Sequence, residues 1–349
     1  MEVGVSTFAE MTPDAITGAR IGAGERLREV IDEIVLADRV GLDVYAVGEH
    51  HRPDFAASSP AVVLAAAARL TTRIRLSSAV TVLSSDDPVR VFQDFATLDL
   101  LSNGRAEIMA GRGSFIESFP LFGHDLDDYD ELFEEKLELL LAIRDAERVT
   151  WSGRHRAALD GLGVYPRPEQ ERLPVWLAVG GTPQSVIRAG ALGLPLTLAI
   201  IGGEPIRFRP LVDLYRRAAD EAGHDPATLP LAVHVHGFVA DTSEHAVATF
   251  YEPYAAAMTQ IGRERGWPPM SRVQFGAMRS PRGSLAVGDV AEVSEKLALI
   301  GEQLDLDRIL LHLSVGTMPH ADVLRAIELL GNEIAPAIRS ARSRVTINA

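Results

Sequence analysis

The sequence predicts an α/β protein built as a (β/α)8 barrel, also called a TIM barrel. Eight short apolar segments alternate with amphipathic segments of helical period along the 349 residues. Repeated strand–helix units imply parallel strands, because a crossover helix must join each strand to the next. An open doubly wound sheet would want a glycine-rich phosphate loop after the first strand, and "STFAEMTPD" is not one. We therefore expect a closed barrel and a single domain over 1–349.

The predicted strands are short runs of apolar residues, many of them β-branched. Helix boundaries between them follow from turn and cap residues: Gly41 ends the first helix, Pro60 begins the second, and Pro88 begins the third. In chain order the eight strands are "VGVSTF", "DVYAVGEHH", "IRLSSAVTVL", "RAEIMAGRG", "PVWLAVGG", "LPLTLAII", "LAVHVHGFVA" and "RILLHLSV".

Two stretches, 147–173 and 263–287, interrupt the alternation and have no clear period. The first is rich in Arg, Gly and Pro. In this fold the active site lies at the carboxyl ends of the strands, where the connecting loops meet. We expect both stretches to be insertions at that face, to cover the barrel mouth and to set the choice of substrate.

The composition narrows the function classes. The chain has 0 cysteines, which excludes disulfides, thiolate metal sites and cysteine nucleophiles. Its net charge of −14 argues against a nucleic-acid surface. No apolar run is long enough for a membrane span, and "MEVGVSTFAE" lacks the pattern of a secretory signal, so we expect a cytoplasmic protein.

The segment "GEHHRPDF" places Glu49 beside His50 and His51 at the end of a strand. Adjacent strand residues point to opposite faces, so the two histidines cannot reach one metal ion without a turn between them. Three interpretations stay open: a metal site, a histidine that packs the strand end, or a histidine that faces the mouth as a proton donor or base. His234 and His236 of "VHVH" share one strand face, which is either the barrel interior or the helix side.

Two further strand ends indicate an anion site. In "VGGTPQSV", two glycines and Thr182 precede a helix, and the free N–H groups and dipole of a helix start bind anions. Plain turn and cap chemistry is the alternative for this segment. In "AGRG", Arg112 stands between two glycines and can contact a phosphate with both of its terminal nitrogens. A surface ion pair is the alternative for this arginine.

These strand ends together resemble the luciferase-like monooxygenases, a family of flavin-dependent (β/α)8 barrels. The similar segments are "GEHHRPDF", "SSAVTVLSSDDPVRVFQDFATLDLLSNGRAEIMAGRG", "LPVWLAVGGTPQSVIRAGALGLPLTLAIIGG" and "HLSVGTMPHADVLRAIELLGNEIAPAI". The match extends over nearly the whole chain. The order "DPVRV…LDLLSNGR…GRG" is its most specific part.

The resemblance implies a site for reduced FMN (FMNH2) at the barrel mouth. It implies that His50 stands near the flavin and takes part in catalysis, and that Ala79 lies under the flavin ring after a cis peptide bond from Ser78. It implies that Arg112 and the loop from Gly180 to Ser185 hold the phosphate, and that Ile200 lies near the ring edge. The predicted cofactor-binding residues are Phe8, Glu49, Ser78, Ala79, Arg112, Gly180, Gly181, Thr182, Ser185 and Ile200.

The function that the resemblance implies is a monooxygenase that uses reduced flavin and O2 to oxidise a small organic substrate. A separate NAD(P)H:flavin reductase and a second copy of the chain are further expected partners. A deazaflavin-dependent dehydrogenase, a flavin-binding protein without catalysis and a metal-dependent hydrolase remain as alternatives. The chain departs from luciferase at Gly111, where luciferase has a cysteine, and at Gly181, where it has a glutamate. We therefore do not expect light emission from an aldehyde.

Overall fold

The structure is a computed structural model that describes residues 1–14, 17–113 and 115–340. The end of the predicted domain, 341–349, lies outside the described residues. The predicted (β/α)8 barrel is confirmed, with four additional short strands. The strands are β1 (Glu2–Thr7), β2 (Val44–Val47), β3 (Arg75–Ser78), β4 (Thr81–Val82), β5 (Ala106–Gly111), β6 (Arg148–Trp151), β7 (Leu159–Gly163), β8 (Val175–Val179), β9 (Leu196–Ile200), β10 (Leu231–Val239), β11 (Ala286–Gly288) and β12 (Arg308–His312).

Parallel pairing closes the barrel. The order around it is β1, β2, β3, β5, β8, β9, β10 and β12, and β12 returns to β1. The register places Val5 beside Leu311 on one side and beside Tyr45 on the other. Because all eight strands run in the same direction, their carboxyl ends meet at one rim.

Helices cover the outside of the barrel. The third predicted helix begins and ends as expected: the Asp87 carboxylate accepts the Val89 N–H at 2.8 Å, Pro88 follows it, and Asn103 ends the helix with φ of 56°. No helix in the described part of the chain has the length and hydropathy of a membrane span. The helices are α1 (Ala23–Arg39), α2 (Pro60–Ala68), α3 (Pro88–Ser102), α4 (Ser118–Leu121), α5 (Tyr129–Asp145), α6 (Pro183–Ala191), α7 (Arg209–Glu221), α8 (Ser243–Arg265), α9 (Arg272–Arg279), α10 (Val290–Leu304) and α11 (His320–Leu329).

Alternate strand residues build two separate apolar layers. One set points outward and forms the main core between strands and helices, with Val5, Val47 and Ile200 among its members. The other set fills the barrel interior and consists of Val44, Ala46, Ala79, Met109, Trp176, Ala232 and Leu310. The period of two along each strand therefore decides which side chains can reach a site inside the barrel.

An ion pair closes the amino-terminal end of the barrel. Nη1 of Arg308 lies 2.7 Å from Oε2 of Glu107, and both side chains are almost fully buried. The guanidinium group also contacts Glu2 at 2.6 Å and lies 4.3 Å above the ring of Trp176. The barrel is thus open to ligands at its carboxyl-terminal rim.

The two irregular stretches differ in position. The first is not irregular: β6 and β7 form an antiparallel hairpin that follows α5. Its tip lies outside the barrel, where the N–H of Arg154 contacts Glu135 on α5 and Arg156 contacts Asp87 at the start of α3. A cavity opens at the carboxyl-terminal rim, and no residue of the hairpin is among the described residues that line it. The second stretch contains α9 and β11 and lies beside the mouth, as expected.

Candidate active site

A cavity of about 340 Å³ opens at the carboxyl-terminal rim of the barrel. It lies where the sequence predicted the site. The predicted site residues that line it are Phe8, Glu49, His50, Ala79, Arg112, Gly180 and Thr182. Ser78, Gly181, Ser185 and Ile200 do not line it.

Glu49 and His51 hold the strand end in place. Oε2 of Glu49 accepts the Val82 N–H at 2.9 Å, and Oε1 lies 2.8 Å from Nε2 of His51. The ring of His51 packs edge-on against Phe122, with 5.1 Å between ring centroids. This pair fixes the end of β2 against β4, so of the two adjacent histidines His51 is the one that packs the strand end.

His50 points the other way, into an aromatic cage. Its ring centroid lies 4.5 Å from that of Phe8, 4.4 Å from Phe55 and 4.9 Å from Phe115. Burial lowers the pKa of His50 to about 3. The ring is therefore neutral at pH 7, and its Nε2 atom is buried with no hydrogen-bond partner in the described structure. A neutral imidazole with one unpaired nitrogen is suited to bind a ligand or to move one proton.

Arg52 fixes one wall of this cage. Its guanidinium lies 3.9 Å from the ring centroid of Phe115 and contacts both carboxylate oxygens of Glu264, at 2.9 and 2.8 Å. It also pairs with Glu117. Three segments, those after β2, after β5 and at the end of α8, therefore meet at a single cation.

The floor of the cavity contains a non-proline cis peptide bond, one residue later than expected. The bond joins Ala79 and Val80, not Ser78 and Ala79. Ser78 is fully buried in the barrel wall, where its hydroxyl accepts the Met109 N–H at 3.0 Å and donates to the Met109 carbonyl at 3.2 Å. Ala79 and Val80 face the cavity. Gly111 leaves the space they need, because a Cβ there would lie 2.7 Å from Val80.

A cationic corner lies between β5 and α6. Nη2 of Arg112 is 3.5 Å from Oγ1 of Thr182, the residue before the first turn of α6. The Thr182 side chain makes no cap hydrogen bond to the helix, and Gly181 before it has φ of 118°, a conformation that favours glycine. Arg112 also contacts Asp130 at 2.5 Å.

Arg188, on the second turn of α6, lies near Arg112 and is paired with Glu134, and it does not line the cavity. Burial, and next the charge of Arg112, lower its pKa. Ser185 also lies on α6, but it is buried, and its N–H is already bonded to the carbonyl of Thr182 at 3.1 Å.

Ile200 points away from the cavity. It is fully buried in the outer core, and its neighbour Ala199 faces the interior in its place. The expectation that Ile200 faces the site is therefore wrong, because adjacent strand residues face opposite sides and Ala199 takes the inward position.

A buried hydrogen-bonded chain ends at the cavity and was not found from the sequence. His234, which lines the cavity, has Nε2 at 2.5 Å from Oγ of Ser6. Ser6 lies 3.1 Å from Nδ1 of His312, and Nε2 of His312 lies 2.8 Å from Oε1 of Glu10. Four residues of the closed interior thus connect a carboxylate to the site. The polar residues Ser6 and His312 within otherwise apolar strands were the available signal.

The neighbouring groups determine the protonation states at the two ends of this hydrogen-bonded chain, Glu10 and His234. Burial opposes ionisation of Glu10, but His312, Arg26 and the hydroxyl of Ser314 outweigh it, and the pKa of Glu10 is lowered. Burial, and next His312, lower the pKa of His234 to about 3. The end that faces the cavity is therefore a neutral imidazole, and the far end is a carboxylate.

Comparison with known proteins agrees with this architecture. The sequence pattern of the luciferase-like monooxygenase family matches residues 1–306. An uncharacterized protein of Sinorhizobium fredii, y4vJ, is 24% identical over 97% of this chain and 99% of its own. The F420-dependent glucose-6-phosphate dehydrogenase of Segniliparus rotundus is 24% identical over 90% of this chain and 94% of its own.

Two solved structures share the fold. Monooxygenase RslO1 from Streptomyces bottropensis has a TM-score of 0.82 at 23% identity, over 96% of this chain and 99% of its own. The oxygenating constituent of 3,6-diketocamphane monooxygenase from Pseudomonas putida, in complex with FMN, has a TM-score of 0.77 at 20% identity, over 96% and 98%. With the family pattern matched over most of its length, the chain belongs to the luciferase-like monooxygenase family.

Proposed function

We propose that this protein is an FMN-dependent monooxygenase that oxidises a small organic substrate with O2. One observation carries the proposal: the unpaired Nε2 of His50 and the cationic corner at Arg112 and Thr182 open onto the same cavity. A flavin mononucleotide presents a flat polar-edged ring and a phosphate, which are the two kinds of group that these features bind.

The residues present fit FMN. Ala79, Val80 and Met109 give the cavity a flat apolar wall. Thr197 also lines the cavity, and its buried hydroxyl has no partner in the described structure, like Nε2 of His50. Buried polar atoms are normally paired, so two such atoms at one cavity support a polar ligand there.

The side chains divide the work. Reduced FMN, when bound, would supply the electrons that activate O2. Arg112 and the start of α6 would hold the phosphate, and release of Arg112 from the exposed Asp130 costs little. Phe8, Phe55 and Phe115 exclude water around His50. His50 holds or moves a proton at Nε2.

The buried hydrogen-bonded chain from Glu10 to His234 would supply protons to the cavity from the barrel interior. His234 can exchange a proton with the cavity, and Ser6 can pass it to His312, which lies against Glu10. This arrangement keeps a proton near the site while bulk water stays out. Arg26, 3.3 Å from Thr7, also faces Glu10 and keeps that carboxylate ionised.

A deazaflavin-dependent dehydrogenase is the second candidate. It is favoured by the similarity to the F420-dependent enzyme of Segniliparus rotundus over most of both chains. The same floor and corner would hold the deazaflavin ring and its phosphate, and His50 would then serve hydride transfer. A flavin-binding protein without catalysis is the third candidate.

The proposal also includes the location of the protein, a partner reductase and the oligomeric state. We infer a cytoplasmic protein that receives reduced flavin from a separate NAD(P)H:flavin reductase. A homodimer is supported by the exposed apolar side chains Val62, Leu70, Leu100 and Leu101 on and beside the packed helices α2 and α3.

The test is an anaerobic titration of the purified protein with photoreduced FMN, riboflavin and F420 in parallel, followed by flavin fluorescence. The proposal expects tight binding of reduced FMN and at least tenfold weaker binding of riboflavin, which lacks the phosphate. Binding of F420 alone would transfer the function to the dehydrogenase. Binding of none of the three would contradict the monooxygenase, the dehydrogenase and the flavin-binding proposals alike.

A further inference from the structure

A second cavity of about 450 Å³ adjoins the first. The two share Gly180, which directly follows β8, and Ala199, the neighbour of Ile200 on β9. These residues carry little or no side chain, so no bulky group separates the cavities at this point. A molecule in the second cavity can therefore reach a ligand in the first.

The walls of the second cavity are apolar and include three flexible methionine side chains. Met258 from α8, Met270 and Met278 from the α9 segment, and the rings of Phe208 and Trp267 surround it. Three thioether side chains adapt to the shape of a hydrophobic guest, and the two rings provide flat contact surfaces. The volume lies in the ordinary range for sites that bind small molecules.

No charged residue is among the described residues that line this cavity. Among these lining residues, Gln274 has the only side-chain amide. Its Oε1 already accepts the N–H of Ser271 at 3.1 Å and the Ser271 hydroxyl at 3.2 Å. The lining supplies no counter-charge, and Trp267 is 43% exposed, so an ion placed here would lose part of its hydration without compensation.

The wall formed by α9 is held firmly at both ends. The capping box of Ser271 and Gln274 fixes its start. At its end, Nζ of Lys296 donates to the carbonyls of Arg279, Ser280 and Leu285, at 2.8, 2.6 and 2.8 Å. The α9 wall of the cavity is therefore fixed by contacts at both of its ends.

We propose that this second cavity is the substrate subsite and that it takes an uncharged, predominantly hydrocarbon molecule whose reactive end lies toward Ala199. The word substrate rests on the proposed function, whereas the ligand class rests on the cavity itself. Charged relatives of the same shape, such as carboxylates and amines, are rejected for want of a partner inside.

Calorimetric titration of the flavin-free protein tests the ligand class. The probes are a series of straight-chain alcohols from hexanol to nonanol, with octanoate and octylamine as charged counterparts of octanol. We expect octanol to bind at least tenfold more tightly than either ion, and each added methylene to tighten binding by about fourfold. Equal binding of octanol and octanoate, or affinity that does not change with chain length, would overturn the proposal.

A matched pair of variants locates the site. Met278 and Val273 stand on the same helix, but Val273 is 83% exposed and does not line the cavity. Met278→Glu should weaken octanol binding by tenfold or more, and Val273→Glu should leave it within twofold. A loss of the same size in both variants would contradict the assignment.

Met278→Lys keeps the test decisive if the glutamate variant fails to fold. It places a cation in the same wall, and it should bind octanoate more tightly than octanol, reversing the order of the parent protein. Titration of each variant with reduced FMN separates the two proposals. Normal FMN binding with no preference for octanol rejects the substrate class alone, and octanol binding without FMN binding rejects the proposed function alone.

Discussion

Glu10 and His312 form a closed pair inside the barrel. Oε1 of Glu10 lies 2.8 Å from Nε2 of His312, and the two side chains are 3% and 1% exposed. One serine separates this pair from His234 at the cavity. A carboxylate so deeply buried is stable only with its partners, so its removal has consequences for both folding and function.

Glu10→Gln removes the charge and keeps the shape of the side chain. We expect the free energy of unfolding at pH 7 to fall by about 3 kcal/mol, because Arg26 loses a nearby counter-charge and His312 and Ser314 lose their carboxylate partner. The folded pKa of Glu10 is lowered, so its contribution is present above the unfolded pKa of about 4.5 and is lost as pH falls through the folded pKa. Urea denaturation at pH 7 and pH 4 measures this. Glu131→Gln, on the exposed face of α5, is the control, and an equal loss in both variants would contradict the assignment.

His50→Ala tests the proposed catalytic role. We expect turnover to fall about 100-fold or more, because a positioned proton donor or base is lost. The dissociation constant of reduced FMN should rise less than tenfold, since other groups hold the phosphate and the ring. Product formation and flavin fluorescence measure the two quantities. His51→Ala is the matched control and should lower stability more than turnover, because His51 contacts Glu49. Unchanged turnover in His50→Ala would count heavily against catalysis by His50.

The two neutral histidines give stability a characteristic pH dependence. The pKa values of His50 and His234 are each lowered to about 3, while an unfolded histidine titrates near pH 6.5. Between about pH 5.5 and 4.5 the unfolded chain binds one more proton per histidine than the folded chain, so stability falls with acidification by about 1.4 kcal/mol per pH unit for each.

The variant His234→Gln should reduce that slope by about 1.4 kcal/mol per pH unit. Denaturation midpoints measured at several pH values across this range give the slope. His245, which lies on the surface, provides the comparison. A His234→Gln variant with the parent slope would show that His234 is protonated in the folded protein.

Arg112→Ala addresses the phosphate corner. The loss of a charge-assisted hydrogen bond, about 1.5–3 kcal/mol, corresponds to roughly 10- to 100-fold weaker binding of FMN. Riboflavin, which has no phosphate, should change less than threefold. Asp130→Asn frees Arg112 from its exposed partner and should tighten FMN binding slightly. An equal loss of FMN and riboflavin in Arg112→Ala would show that the arginine does not contact the phosphate.

The sequence was sufficient to predict the barrel and the rim because both follow from local patterns. Strand ends, glycines and helix starts are short-range signals, and the fold brings strand ends together. The positions of Arg112 and Thr182 at the cavity were predicted in this way, and their role stays a prediction. The side chain of Ile200 points outward, and the cis bond follows Ala79 instead of Ser78. Family resemblance aligns segments, but it does not determine the orientation or position of a single residue.

The buried chain could not be predicted for a different reason. Ser6 and His312 are 306 residues apart, and their contact depends on the pairing of the first and last barrel strands. Glu10 follows β1 in a segment with no period, so nothing local indicates that its carboxylate turns inward. Contacts of this kind require the register of the closed sheet.

The ion pair of Glu107 and Arg308 has a consequence for exchange of ligands. With the opposite end of the barrel closed by that pair and by Trp176, a ligand of the barrel interior enters and leaves at the carboxyl-terminal rim. A molecule held at the rim would then obstruct the release of anything bound beneath it. Under the proposed function, the product would have to leave before the next reduced flavin binds.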